Sequence, residues 1–275
     1  MILSSAVKIQ FRKKDSPELR KIEETTYIVS PLETLSEIEK FIREKKPGSY
    51  MRFGDGDVFL SIGSDDAYQV SGAKLKQEMT EAFSLKGPGI LKSLSIHSHK
   101  FGYEKEMFPG NHLSSDEAAT SLLKQVYPYF VGYRVFSPVA LHYAASYHPL
   151  IANDFLKLLK QQAVLLIGNE NIPATTVQKL FAGVEHVKTP AQNAYDDIDR
   201  IQTEAEQALD NNRQFGIVIV SMGCSGRVLL KRLQRAKYNV FFFDFGSLLD
   251  GICGDETRTW LKEVAIDYEV LLKDL

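Results

Sequence analysis

The chain has 275 residues, 44% of them hydrophobic and 25% charged, which suits one large α/β domain or two small ones with a sizeable core. A formal charge of -2 gives no whole-chain basis for binding nucleic acid, so an anionic ligand must be small and held locally. Two cysteines, Cys224 and Cys253, lack a CxxC or Cys/His spacing, which argues against a disulfide framework or structural zinc and fits a reducing cytoplasm.

Residues 1–14 open apolar and then turn basic at Lys8, Arg12, Lys13 and Lys14, the reverse of a secretory signal. No run approaches the roughly 18 apolar residues of a spanning helix. Phe11 with Arg12, Lys13 and Lys14 could rest weakly on an anionic membrane or form an ordinary basic surface. Residues 1–33 are expected to be an extension, 255–275 a helical appendage, and the whole of 1–275 one domain.

Thr34 to Lys46 carries Leu35, Ile38, Phe41 and Ile42 at helical spacing, and Pro47-Gly48 stops it before a strand at Tyr50 to Phe53. That strand runs into Gly54-Asp55-Gly56-Asp57. The two glycines predict a tight turn that aims Asp55 and Asp57 at one point, where carboxylate oxygens suit a hard cation such as Mg2+ or Mn2+. Arg52 adds a fork of donors for phosphate oxygens. A plain surface turn is the alternative.

A helix is predicted over 71–85 and a strand over 90–96, followed by His97 and His99, which could share a face as ligands or be ordinary polar positions. Residues 101–111 predict a loop and Ser114 a helix start. A short strand follows at 133–136, then helical periodicity over 138–160 that Pro149 breaks. Continuous apolar runs at 163–168, 215–220 and 240–243 predict buried parallel strands, with a short strand at 184–187 and helices over 173–182, 194–209 and 225–236 between them. This alternation predicts a Rossmann-like α/β fold, a doubly wound, mostly parallel sheet with helices on both faces and ligands at the carboxyl ends of the strands.

Three later strand ends carry candidate chemistry. Gly223, Cys224, Ser225 and Gly226 join a strand to a helix, so backbone N–H groups could approach a phosphate, although glycine is also used there for close packing. Cys224 at a helix N-terminus is a candidate nucleophile because thiol pKa values fall there. Asn193 is placed to cap the helix over 194–209 or to contact a nucleotide. Asp244 and Asp250 are candidates for acceptor binding or a general base.

These segments together resemble the GT-D-type glycosyltransferases, once catalogued as a bacterial domain of unknown function. Arg52-Phe53-Gly54-Asp55-Gly56-Asp57 resembles the family's Arg-Phe-Gly-Asp-Gly-Glu, and Pro190 with Asn193-Ala194-Tyr195 its Pro-x-x-Asn-Ala-Phe. Ser221-Met222-Gly223 with Val228, Leu229 and Leu233 is similar to its Leu-Gly strand-loop-helix, and Asp244-Phe245-Gly246 to its Asp-Ile-Gly. The chain departs at Asp57, where the family has Glu, at Ser247, where it has His, and over 172–179, which lacks an Arg-Gly element.

The resemblance implies a cytoplasmic, metal-dependent transferase that moves a sugar from a UDP-sugar to a glycan or glycoprotein acceptor, as in polysaccharide biosynthesis. In that reading Asp55 and Asp57 hold Mn2+ or Mg2+, Arg52 and the 223–226 loop steady the phosphates, Gly54 and Gly56 shape the metal turn, Asn193 meets the nucleotide and Asp244 acts as base. A metal-dependent phosphoesterase or a non-catalytic nucleotide-sugar binding protein would use the same residues.

Overall fold

The computed structural model describes residues 24–95, 124–212, 214–234, 238–255 and 265–275, with Pro17, Leu122 and Leu261. The basic segment 1–14, His97, His99, the loop over 101–111 and the helix start at Ser114 lie outside the described residues.

In chain order the elements are β1 (Tyr27–Ile28), α1 (Pro31–Arg43), β2 (Gly48–Gly54), α2 (Asp55–Ile62), α3 (Ala73–Phe83), β3 (Ile90–Ser95), β4 (Arg134–Val135), α4 (Ala140–Tyr147) and α5 (Pro149–Gln162). There follow β5 (Ala163–Asn169), α6 (Ala174–Phe181), β6 (Glu185–Thr189), α7 (Ile198–Asp210), β7 (Gly216–Ser221), α8 (Ser225–Gln234), β8 (Val240–Asp244), α9 (Leu248–Ile252) and α10 (Tyr268–Leu271). Six strands form one sheet in the order β3-β2-β8-β7-β5-β6, every pair parallel, while β1 and β4 form a separate parallel pair.

The strand sequences explain this burial. Val-Phe-Phe-Phe-Asp of β8 is buried at every position, as a strand covered on both faces must be. Alternate side chains feed two cores. Met51, Phe53, Ile167, Val218, Val220 and Phe242 pack beneath α2, α3, α7 and α8. Tyr50, Leu166, Ile217, Ile219, Phe241 and Phe243 pack against α1, α4, α5 and α6.

Local signals set several boundaries. The Ser30 hydroxyl accepts the Glu33 N–H at 3.2 Å and Pro31 opens α1, a cap worth about 1 kcal/mol. Pro149 starts α5 after the break at His148. The expected extension over 1–33 is part of the fold at its end, because β1 pairs with β4 and Val29 N–H donates to the Val135 carbonyl at 2.9 Å. Of the expected C-terminal helix the described residues show helical Leu261 and the four-residue α10. Its end is docked rather than appended: buried Asn153 donates to the Leu271 and Lys273 carbonyls at 3.0 and 2.9 Å. No described helix is long and apolar enough to cross a membrane.

Candidate active site

A cavity of about 450 Å³ opens at the carboxyl ends of β2, β8, β7, β5 and β6. Such sheets offer ligands this crevice because parallel strands deliver all their following loops to one end. The chain leaves β5 for β6 and leaves β7 for β8, in opposite directions across the strand order, so the loops part there and leave room.

The first wall is the junction of β2 and α2. The predicted tight turn is instead a helix start: Gly54 is extended at φ -127° and ψ -170°, and α2 begins at Asp55. Neither glycine has positive φ. Gly56 is required for space, since a Cβ there would lie 2.5 Å from Asp66 Oδ1 and 3.0 Å from Cys224 Sγ. Residues two apart on a helix do not face each other, so the two acids part company. Asp55 is exposed and its Oδ1 accepts the Gly56 N–H at 2.9 Å. Asp57 is 1% exposed and its Oδ2 accepts the Gly54 N–H at 2.7 Å, which also suits an anion at a helix N-terminus.

Asp57 meets a buried charge cluster. Arg227, one turn into α8, brings its Nε to 3.5 Å from Asp57 Oδ1 and its Nη1 to 3.2 Å from Asp244 Oδ2. Arg52 Nη1 lies 3.9 Å from Asp244 Oδ1, its N–H donates to Asp244 Oδ2 at 3.3 Å, and its Nε donates to the Pro138 carbonyl at 2.5 Å. Burial pushes the Asp57 carboxyl up to about 6, against the lowering influence of Arg227 and the Gly54 N–H. Asp244, 2% exposed at the end of β8, holds two guanidiniums in place along the cavity wall.

The donor chemistry of the site fits a hard cation. Asp55, Asp57, Asp66, Asp244, Asp250 and Asp255 all line the cavity, and buried Asp57 Oδ1 accepts no hydrogen bond. Among the described residues no group of three or more His, Cys, Asp or Glu is gathered for an ion, so the remaining coordination positions would fall to water and ligand oxygens.

The β7–α8 loop forms the opposite wall. Gly223 has φ +60° with open space around it, so conformation demands glycine there. At Gly226 the reason is packing: a Cβ would come within 3.0 Å of Val220 Cγ1 and 3.2 Å of Met222 Cγ. Cys224 departs from the nucleophile expectation. Burial, and then the Asp57 carboxylate, raise its thiol well above the usual range, and its Sγ donates to Asp66 Oδ2 at 3.8 Å.

A family profile described as Glycosyltransferase GT-D fold matches residues 50–249, from β2 into α9. The chain belongs to the GT-D glycosyltransferase family. Three solved structures agree with the fold of this GT-D protein. The selenomethionine form of domain of unknown function 1792 is 18% identical, with 84% of this chain and 82% of that one covered and a TM-score of 0.63. A second, reported as showing that this highly conserved domain has a distinct glycosyltransferase fold, is 18% identical over 92% of each chain, TM-score 0.62. A new glycosyltransferase (DUF1792) from Streptococcus sanguinis is 17% identical over 91% of this chain and 93% of its own, TM-score 0.57. A comparison with curated proteins finds no match.

In this GT-D protein Asn193 has a different local role from the helix cap that was expected. α7 starts at Ile198, and Asn193, with φ +53°, accepts the Val70 N–H at its Oδ1 at 2.9 Å while donating its own N–H to the Tyr68 carbonyl at 2.8 Å. It thereby fastens the 63–72 loop over the cavity. Sequence reasoning missed Gln69, 4% exposed, whose Oε1 accepts from Ser225 Oγ at 2.9 Å and Tyr195 N–H at 3.0 Å. It also missed Arg227 and Asp66. The available signal for Arg227 was one cation within the apolar opening of α8, four residues after Gly223. The structure brings Arg52, Asp57, Cys224 and Asp244 together, sets Asp55 and Asn193 at the rim, and places Asp250 in the wall.

Proposed function

We propose that this GT-D glycosyltransferase moves a sugar from a UDP-sugar to a glycan or glycoprotein acceptor with the help of Mn2+ or Mg2+. The observation that carries the reading is the meeting of carboxylates and guanidiniums from β2, α2, β8 and α8 in one cavity at the carboxyl end of the sheet. Asp57 would hold the ion through Oδ1, with Asp55 reaching it from the rim by a change of rotamer or through water, and the ion when bound would supply positive charge against the leaving diphosphate.

The chain's own residues do the rest. Arg52 and Arg227 offer fixed guanidiniums, and the backbone of Cys224 to Gly226 opens α8 toward the cavity, so both favour a diphosphate there. Electrostatic preorganisation of this kind stabilises charge as it develops on the leaving group. The 63–72 loop, held by Gln69 and Asn193, supports the nucleotide side and limits water. Asp244 orients both arginines, while Asp250, in the same wall, would meet the acceptor. Nucleotide-sugar supply fits a cytoplasmic reaction.

The test is calorimetric titration of UDP and UDP-sugars with and without Mn2+, alongside donor hydrolysis and transfer. Wild type is expected to bind a UDP species in a metal-dependent way, and Asp55→Asn and Asp57→Asn to lose that dependence. Equal binding with and without metal in all three proteins would overturn the metal assignment. Phosphate release from simple nucleotides with no sugar transfer would replace the reading with a phosphoesterase, and binding without turnover with a non-catalytic nucleotide-sugar protein.

A further inference from the structure

Arg227 joins Asp57, Asp244, the 223–226 loop and the β2 backbone at once. Its Nη1 donates to the Gly223 carbonyl at 2.5 Å in the phosphate-facing loop and pairs with Asp244 at 3.2 Å. Its Nη2 donates to the Arg52 carbonyl, and its Nε faces Asp57 Oδ1 at 3.5 Å. The last contact differs from the rest. Asp57 Oδ1 and Arg227 Nε are both buried, and neither has a hydrogen-bond partner, so only Coulomb attraction joins them.

A cation that took this place at Asp57 Oδ1 would break no hydrogen bond. A guanidinium stays protonated at all working pH values, so it cannot yield by losing its charge. A divalent ion arriving alone at Asp57 would therefore meet a positive charge a few ångströms away, in a setting where the Arg227 side chain is 12% exposed and solvent screens poorly. An anion placed between the α8 N-terminus and the guanidinium cancels that repulsion.

We propose that Arg227 is a built-in counter-cation: it holds Asp57 in the observed arrangement and releases it when a nucleoside diphosphate draws the guanidinium, so that metal and diphosphate bind in concert. This rests on Asp57 being a metal ligand, as proposed above. It makes Arg227 a positioning residue and gives the site an order of assembly in which metal without diphosphate binds weakly.

The experiment measures Mn2+ affinity by electron paramagnetic resonance for wild type, Arg227→Gln, Arg227→Lys and Asp57→Asn, each with and without saturating UDP, with circular dichroism as the check on folding. Wild type is expected to bind Mn2+ weakly alone and at least about tenfold more tightly with UDP. Arg227→Gln is expected to bind Mn2+ alone about tenfold more tightly than wild type, with little further gain from UDP, as removal of one nearby positive charge requires. Arg227→Lys keeps the charge but loses the fork that the diphosphate draws, so it binds Mn2+ weakly alone and loses most of the roughly tenfold gain from UDP, and that lost gain, which a purely structural Arg227 would leave intact, is the deciding readout if Arg227→Gln does not fold. A purely structural Arg227 would lower stability in both variants and leave Mn2+ affinity unchanged or weaker. That result, with wild type binding Mn2+ and Asp57→Asn failing to, overturns the proposal while leaving the metal site intact. Failure of wild type to bind Mn2+ even with UDP overturns both.

Discussion

Gly246 shows how tightly the arginines are seated. It follows β8 with φ +68°, and a Cβ there would fall directly on the Arg52 guanidinium. Two penalties coincide: a left-handed backbone that residues with side chains adopt at a cost, and a contact that only displacement of Arg52 relieves. Gly246→Ala is expected to lose about 1–3 kcal/mol of stability and to weaken UDP binding by moving Arg52 off Asp244. Urea unfolding and calorimetry on the same protein check both, and wild-type UDP affinity in the variant would contradict the assigned place of Arg52. The neighbouring motif residue, Phe53, is fully buried and stacks on Phe83 at 4.3 Å, so it belongs to the core although it sits between Arg52 and Asp55 in the sequence.

At the scale of elements, the 63–72 loop is the part whose position depends on few bonds. Gln69 supplies two of them, to α8 through Ser225 and to the Tyr195 backbone ahead of α7. Gln69→Ala is expected to cost about 1–3 kcal/mol, since the buried Ser225 hydroxyl and the half-buried Tyr195 N–H lose their acceptor. UDP affinity should fall several-fold with metal dependence retained, which separates loop support from metal binding. Unchanged affinity would remove the loop from the site.

β3 carries a second element-scale prediction, because Lys92 is 6% exposed beneath α3. Its Nζ donates to the Phe83 and Tyr129 carbonyls at 2.7 and 2.9 Å and lies 4.9 Å from the Phe130 ring centroid. Burial, aided by Lys86, lowers its pKa from 10.5 to about 8. With the folded value below the unfolded one, the unfolded chain binds the proton more tightly. The penalty is therefore full below about 8 and disappears as pH rises toward 10.5, worth about 3 kcal/mol over that window. Unfolding free energies of wild type and Lys92→Met, compared between pH 7.5 and 10.5, should converge or diverge by that amount in favour of wild type at high pH. A constant difference would refute the buried-charge account.

For the whole molecule, a ligand that binds only the folded chain stabilises it by about 2.7 kcal/mol at a hundredfold excess over its dissociation constant. UDP with Mn2+ is thus expected to raise the melting temperature by roughly 5–10 °C, and Mn2+ alone by much less. Equal shifts with metal alone and with both would argue against linked binding.

Much of the architecture was legible in the sequence because its signals are local. The apolar runs at 163–168, 215–220 and 240–243 could be satisfied only by strands covered on both faces, and Pro149 had to divide the α4–α5 stretch. The strand ends that line the cavity followed from the parallel sheet. α2 was not legible: Gly56 in its first turn weakens helix propensity, and its order comes from Asp57 capping Gly54 and from Val58 and Leu60 in the core. The glycines of the motif suggested a turn, yet at Gly56 the demand is steric and set by Asp66 and Cys224 from other parts of the chain. By itself the sequence determined most of the strands and helices, α2 excepted, and which short polar motifs would stand at their ends. Only the tertiary structure decided that β8 lies beside β2, which puts Asp244 against Arg52 across 192 residues, and that α8 returns over β2 to set Arg227 against Asp57. The physical reason is that strand order is settled by how both faces of the whole sheet are covered, and a charge pair formed across that order leaves no trace in local spacing.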